Sequence, residues 1–218
     1  LLNSNQEKIS SSPVKLSSHH LLSIEGMDKK EIQNLIERAN FFANLDKHSD
    51  TKFLNGYVVL NVFFENSTRT RVSFELAARR LGAEVLNISL INSSIKKGES
   101  LLDTASTLNA MRPDLLIVRH PHSGAPILFA NYLDCSIINA GDGRHEHPTQ
   151  ALLDALTIKR RLGHLEGLKI SICGDIANSR VARSNIHLLT TMGAEVRCVA
   201  PPTLMPFGLE NLGVKCYY

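Results

Sequence analysis

The strongest constraint on this chain is a change of hydrophobic period within a few residues. Residues 57–64 are an apolar, β-branched run that reads as a buried strand, and residues 68–81, closed by Gly82, are amphipathic and read as a helix. The same alternation recurs downstream. Strand-like runs at 83–89, 115–118, 135–139, 169–173 and 195–200 alternate with helical stretches ending near Met111, Tyr132, Leu162 and Met192. A further helix, capped by Asp28, is predicted to about Phe42 from the spacing of Ile32, Leu35, Ile36 and Ala39. The chain is therefore predicted to be α/β, built on parallel sheets.

The junction between the first strand and its helix is Phe63-Phe64-Glu65-Asn66-Ser67-Thr68-Arg69-Thr70-Arg71. Ser67 suits the N-cap, which leaves the first-turn N–H groups of Thr68, Arg69 and Thr70 pointing outward with the positive end of the helix dipole. Hydroxyls and guanidiniums crowd the same turn, and Arg offers a fork of donors that matches phosphate oxygens. In an open parallel sheet this turn lies at the C-terminal edge of the strands, the usual ligand crevice. A phosphate-bearing ligand is the natural occupant. A Gly-rich loop ending in Gly-Lys-Ser/Thr is missing, which argues against a nucleoside triphosphatase.

Composition narrows the classes. With 43% hydrophobic and 21% charged residues, a soluble globular chain is expected. A net charge of +3 without a basic run interleaved with aromatics gives no footing for nucleic acid. No apolar run reaches the roughly 20 residues that a bilayer span requires, so a membrane protein is not expected. Cys135, Cys173, Cys198 and Cys216 are scattered without Cys-x-x-Cys spacing, which indicates neither a zinc site nor a disulfide framework. Free thiols fit a cytoplasmic setting, and Cys173 and Cys198, within apolar runs, read as small core residues. Residues 1–20 are polar and Ser-rich and are expected to form a flexible tail; they contain no Arg, unlike a transit peptide.

Other polar groups stand where strands end. Arg119-His120-Pro121 follows the strand at 115–118 and faces the same crevice as Arg69 if the strands are parallel. His145-Glu146-His147 offers three potential metal ligands, but their adjacency is wrong for a helical zinc face, where ligands lie one turn apart, and no metal is expected. His147 and Gln150, three apart at the start of the helix that includes Pro148, can project toward one ligand. Residues 91–100 mix small polar residues with Lys96, Lys97 and Gly98 and read as a loop; an ammonium on a flexible stem suits a lid over an anion. Gly174-Asp175 opens another βαβ unit, without the G-x-G-x-x-G pattern of a dinucleotide site.

Ser67-Thr68-Arg69-Thr70-Arg71 after Phe-Phe-Glu-Asn resembles the phosphate-binding signature of the aspartate and ornithine carbamoyltransferases. Arg119-His120-Pro121 and His147-Pro148-Thr149-Gln150 resemble the aspartate branch, as does the lysine-bearing loop with Ser93 and Lys97; Thr149 stands where the ornithine branch typically has Cys. Ser179-Arg180-Val181-Ala182-Arg183-Ser184-Asn185 resembles the segment that holds the amino acid in that branch, although Asn178 replaces a common His.

The resemblance implies an enzyme that transfers the carbamoyl group of carbamoyl phosphate to L-aspartate in pyrimidine biosynthesis, without a cofactor. It implies phosphate anchoring by Ser67, Thr68, Arg69 and Thr70, and stabilisation of the carbonyl oxygen by Arg119, Thr70 and His147. Gln150 would hold the carbamoyl amide, and Lys97 and Arg180 the aspartate. Ser93 and Lys97 would reach in from a neighbouring subunit, so a homotrimer with shared sites is implied. Regulatory subunits or other pyrimidine-pathway partners are left open. The expected organisation is a tail (1–20), a carbamoyl-phosphate domain (21–150) and the first part of an aspartate domain (151–218). Relatives are expected to continue for roughly another third of their length, a domain-scale segment. The alternatives are an ornithine carbamoyltransferase and a phosphate-binding or assembly fragment without catalysis.

Overall fold

The computed structural model describes residues 16–46, 49, 51–89 and 100–218. Their elements run α1 (Lys29–Asn44), β1 (Val58–Phe63), α2 (Thr68–Arg80), β2 (Glu84–Ser89), α3 (Leu101–Ala110), β3 (Leu115–His120), α4 (Ala125–Tyr132), β4 (Ser136–Asp142), α5 (Pro148–Leu162), β5 (Lys169–Cys173), α6 (Arg180–Thr191), β6 (Glu195–Val199) and β7 (Lys215–Tyr217). Two short 3-10 turns, Pro202–Leu204 and Leu209–Leu212, precede β7. The order and type of the predicted elements are reproduced, and the α/β parallel-sheet class is confirmed. The chain divides into two compact units, one containing residues 19–22 and 50–147, the other 23–49 and 148–218.

The first unit holds a four-stranded sheet in the order β2-β1-β3-β4, every pairing parallel. Alternation along β1 sends its side chains to two different layers. Leu60, Val62 and Phe64 pack with Leu116, Val118 and Ile137 against Ala105 and Leu108 of α3 and Phe129 of α4. Val59 and Phe63 pack with Ile117 and Ala140 against Phe74 and Ala78 of α2. Because helices cover both faces, β1 and β3 are apolar nearly throughout, which is why they were legible as buried runs.

Expectation and structure differ before β1. Ser17 donates from its N–H to the Glu31 carboxylate at 2.8 Å, and the Leu21 N–H donates to the Ile137 carbonyl at 2.8 Å while the Asn139 N–H donates to Leu21 at 2.9 Å. Ser17 and His20, expected within a tail over residues 1–20, are therefore bonded to the fold, and residues 1–15 of that expectation lie outside the described residues. The outer edge of β4 carries backbone groups that need partners, and His20 and Leu21 provide them.

The second unit has a three-stranded parallel sheet, β5-β6-β7. Its core joins Ile32 and Ile36 of α1, Ala151 and Ala155 of α5, Ile186 and Leu189 of α6, and Val196 and Cys198 of β6. Helix α1 thus packs with the C-terminal segment rather than with the 21–150 domain expected for it; its Ile32–Ile36 stripe is fully buried there. Cys198 is buried as expected, but Cys173 is exposed. It ends β5, which among the described residues pairs only with β6, and alternation turns it away from the face of Ile172. Among the described residues no helix is long and apolar enough to cross a membrane.

Candidate functional site

The C-terminal edge of the four-stranded sheet carries several of the polar groups singled out in the sequence. Strand β1 ends at Phe63, residues 64–67 turn, and α2 starts at Thr68. Ser67 occupies the N-cap in extended conformation, but its hydroxyl makes no cap bond. The first-turn N–H groups are therefore left without a side-chain cap, as an anion cradle requires. A polar cleft at this turn is lined by Phe63, Glu65, Asn66, Ser67, Thr68, Arg71 and Ser89. Arg69 is exposed and Thr70 half-buried in the same helical turn.

Arg119 reaches this turn by strand register. It pairs with Phe63 across β1 and β3, and its carbonyl accepts from the Phe64 N–H at 2.9 Å. Its Nε lies 2.7 Å from Glu65 Oε1, with the two side chains 15% and 24% exposed, and a terminal nitrogen donates to the Ala140 carbonyl at 3.2 Å. The guanidinium is thus clamped between the turn after β1 and the end of β4. A shielded pair of this kind is oriented far better than a solvated surface pair.

The turn leading to His147 is organised by Asp142. This fully buried carboxylate accepts from Asn139 Nδ2 at 2.8 Å, the Glu146 N–H at 3.1 Å and the Gly124 N–H at 2.7 Å. His145 Nδ1 lies 3.2 Å from both of its oxygens. The Asp142 N–H closes the turn onto the Glu146 carbonyl at 3.1 Å, so His147, itself buried, leaves a rigid hairpin before Pro148 opens α5. His120, paired with Asp142 in register, is buried, and burial holds its imidazole below the ordinary histidine value. Its Nδ1 accepts from the His122 N–H at 2.9 Å.

Gln150 and Arg180 belong to the second unit. Gln150 Nε2 donates to Asp154 Oδ1 at 2.9 Å. Arg180 is the first residue of α6, after a Ser179 cap whose hydroxyl accepts from the Ala182 N–H at 3.1 Å. Asn178, where the resemblance expects His, donates to both oxygens of Asp175 at 2.9 and 2.8 Å. Ser93 and Lys97 lie outside the described residues.

The first unit therefore carries Ser67, Thr68, Arg69, Thr70, Arg119 and His147 on the strand ends and turns of one sheet edge. Sequence reasoning gave no role to Glu65, Ser89 or Asp142. Glu65 could have been found, because a lone carboxylate inside a cationic turn calls for a cation of its own.

The family model described as aspartate/ornithine carbamoyltransferase, carbamoyl-P binding domain, matches residues 19–160. The aspartate carbamoyltransferase catalytic subunit of Parvibaculum lavamentivorans is 59% identical over 201 residues, covering 91% of this chain and 62% of that relative. The corresponding subunit of Rhodospirillum rubrum is likewise 59% identical, with 63% of its length covered. The chain thus spans less than two thirds of these curated relatives. Among solved structures, aspartate transcarbamoylase from Trypanosoma cruzi in complex with aspartate and phosphate superposes with a TM-score of 0.83 at 38% identity, covering 91% of this chain and 67% of that one. The catalytic subunit of M. Jannaschii aspartate transcarbamoylase gives 0.83 at 39% identity, covering 92% and 68%.

Proposed function

The chain belongs to the aspartate/ornithine carbamoyltransferase family, and from that premise we propose that the protein transfers the carbamoyl group of carbamoyl phosphate to L-aspartate. The products are N-carbamoyl-L-aspartate and phosphate, an early step of pyrimidine construction. Relatives named as catalytic subunits of the aspartate branch support the choice of acceptor. So do neighbouring structures from T. cruzi described with carbamoyl phosphate and with aspartate. The observation that carries the reading is the clamped Arg119 beside an uncapped helix start bearing Ser67 and Thr68.

Phosphate sits at the start of α2, anchored by first-turn N–H groups and by Ser67, Thr68, Arg69 and Thr70. The amine lone pair forms the new C–N bond, and negative charge grows on the carbonyl oxygen, where Arg119, Thr70 and His147 donate. The C–O bond to phosphate then breaks with its electron pair on the leaving group. Nitrogen's surplus proton passes to the departing phosphate or to water. Gln150 holds the carbamoyl amide, and Arg180 takes a carboxylate of aspartate. No side chain becomes covalently attached; proximity and preorganised charge lower the barrier.

Residues 21–150 supply the carbamoyl-phosphate part and 151–218 the beginning of the aspartate part, with α1 packed against the latter. The protein acts in the cytoplasm as a homotrimer in which Ser93 and Lys97 complete a neighbour's site. Calorimetry with carbamoyl phosphate on this chain tests the first step, and product assays with aspartate and ornithine as acceptors, on the protein at its native length, test the second. Citrulline as the main product would move the protein to the ornithine branch. Undetectable carbamoyl phosphate binding would overturn the reading.

A further inference from the structure

An amide side chain has two chemically opposite ends, and its use depends on which end is free. In Gln150 the choice is made by a neighbour. Nε2 donates to Asp154 Oδ1 at 2.9 Å, and a carboxylate can only accept, so it cannot take the carbonyl end of Gln150 instead. The other oxygen of Asp154 is held in turn: Asn185 Nδ2 donates to Oδ2 at 2.8 Å and also to the Val181 carbonyl at 3.2 Å. Asn185 is buried, and it lies on α6, the helix that Arg180 begins. All of these residues belong to the second unit, so the chain Gln150–Asp154–Asn185 is internal to it.

We propose that Asp154 is a positioning residue: by taking the Nε2 donor of Gln150 it leaves the Gln150 carbonyl oxygen as the end presented to a ligand. The inference rests on the carbamoyl-transfer reading and deepens it by assigning the polarity of one contact. A carbamoyl NH2 is a donor, so it requires an acceptor opposite. A Gln150 with its NH2 group outward would face donor with donor and leave a polar group unpaired, which costs more than the bond itself contributes. Asn185 makes the arrangement part of the α5–α6 packing, so the amide polarity is fixed before the ligand arrives.

The contact concerns the carbamoyl group and not the phosphate, which gives the test its control. Calorimetry measures carbamoyl phosphate and inorganic phosphate against the wild-type chain, Asp154→Ala, the near-isosteric Asp154→Asn, Gln150→Ala and the Gln150→Ala/Asp154→Ala double variant. Asp154→Ala is expected to weaken carbamoyl phosphate by about tenfold, the worth of one well-made hydrogen bond, with inorganic phosphate unchanged. Asp154→Asn, which can offer Gln150 either a carbonyl or an NH2, should fall between the two. In the Gln150→Ala background the Asp154 substitution should add nothing further, since it acts through Gln150. Equal weakening of both ligands, no weakening of either, or a full additional loss in the double variant would overturn the proposal. A wild-type chain that binds inorganic phosphate but gains nothing from the carbamoyl group would instead overturn the carbamoyl-transfer reading.

Discussion

Arg119 and Glu65 meet at 2.7 Å across the ends of neighbouring parallel strands, while the backbone between them is tied by the bond from the Phe64 N–H to the Arg119 carbonyl at 2.9 Å. The carboxylate orients the guanidinium, but it is also a negative charge beside the helix start proposed to hold the anion. Removing Arg119 therefore does two things: it deletes a donor and leaves Glu65 facing the ligand alone. Arg119→Ala should weaken carbamoyl phosphate by well over tenfold, on the order of the loss of a charge-assisted hydrogen bond plus an unpaired charge. The double variant Glu65→Ala/Arg119→Ala should bind more tightly than Arg119→Ala alone. Calorimetry at low and at high salt checks both, and a double variant weaker than the single one would show that Glu65 serves the ligand directly.

The four thiols should differ in reactivity according to their burial. Cys173 is exposed at the end of an outer strand, whereas Cys135 and Cys198 are buried. Burial pushes the Cys198 thiol up to about 11, with the neighbouring Cys216 and Cys173 adding to it, and burial likewise raises Cys135. Since the thiolate is the nucleophile, a disulfide reagent at pH 8 should label Cys173 first in the native chain and leave Cys198 unmodified until denaturant is added. Mass spectrometry of digested samples over time reads the order directly. Cys198 modified as fast as Cys173 would contradict the packing of β6.

That cysteine pair also shows where sequence reading stops. Strand β1 was legible because helices cover both faces of its sheet, so Val59 to Phe63 are all buried. Strand β5 has the same apolar look, yet its residues alternate between partly buried and exposed, since what flanks a strand is a property of the fold and not of its letters. The polar helix start at Ser67 and Thr68, proposed above to hold phosphate, was legible because a helix start with Ser, Thr and Arg has a local mechanism. Asp142 was not: its partners Gly124, Asn139, His145 and Glu146 come partly from across the sheet, and a lone Asp between two glycines reads only as a turn. The place of α1 was equally hidden, because an apolar stripe states that something is buried but not against what.

The helix that follows residues 90–99 begins with a reciprocal cap. Ser100 Oγ accepts from the Asp103 N–H at 3.1 Å, and Asp103 Oδ2 accepts from the Ser100 N–H at 2.9 Å. The Ser100 hydroxyl, which donates to Asp103 Oδ2 at 2.6 Å, and after it the Ser100 N–H hold the Asp103 carboxyl below its ordinary value. A depressed carboxyl contributes stability that is fully present above the unfolded value of about 3.9 and lost as pH falls through the lower folded value. Ser100→Ala should lower the melting temperature by about 2–4 °C at pH 7, the usual scale of one cap in a chain of this size. The gap between wild type and variant should narrow as the pH is taken below 4. Melting curves followed by circular dichroism over that range test it; a gap that widened toward acid would mean that the bonds do not favour the ionised form.

The turn that delivers His147 depends on a glycine for two separate reasons. Gly143 has φ +45, in the left-handed region, and a Cβ built on it would lie 2.3 Å from Ser123 Oγ and 2.5 Å from the Ser123 backbone nitrogen. A side-chain hydroxyl could swing aside, but the backbone nitrogen could not without moving the turn before α4. That turn is itself fixed, because the Gly124 N–H donates to Asp142 at 2.7 Å and the Gly143 N–H donates to the His120 carbonyl at 2.9 Å. An added methyl group must therefore displace the hairpin around Asp142, whose far end carries His147. Gly143→Ala should cost about 2 kcal/mol or more, in the range of substitutions that combine overpacking with backbone strain, and it should weaken carbamoyl phosphate more than inorganic phosphate, since the displaced His147 is assigned to the carbonyl oxygen and not to the phosphate. Denaturant melts and paired titrations measure the two effects. Retention of wild-type stability would mean that the turn can open away from Ser123, and equal weakening of both ligands would place His147 on the phosphate.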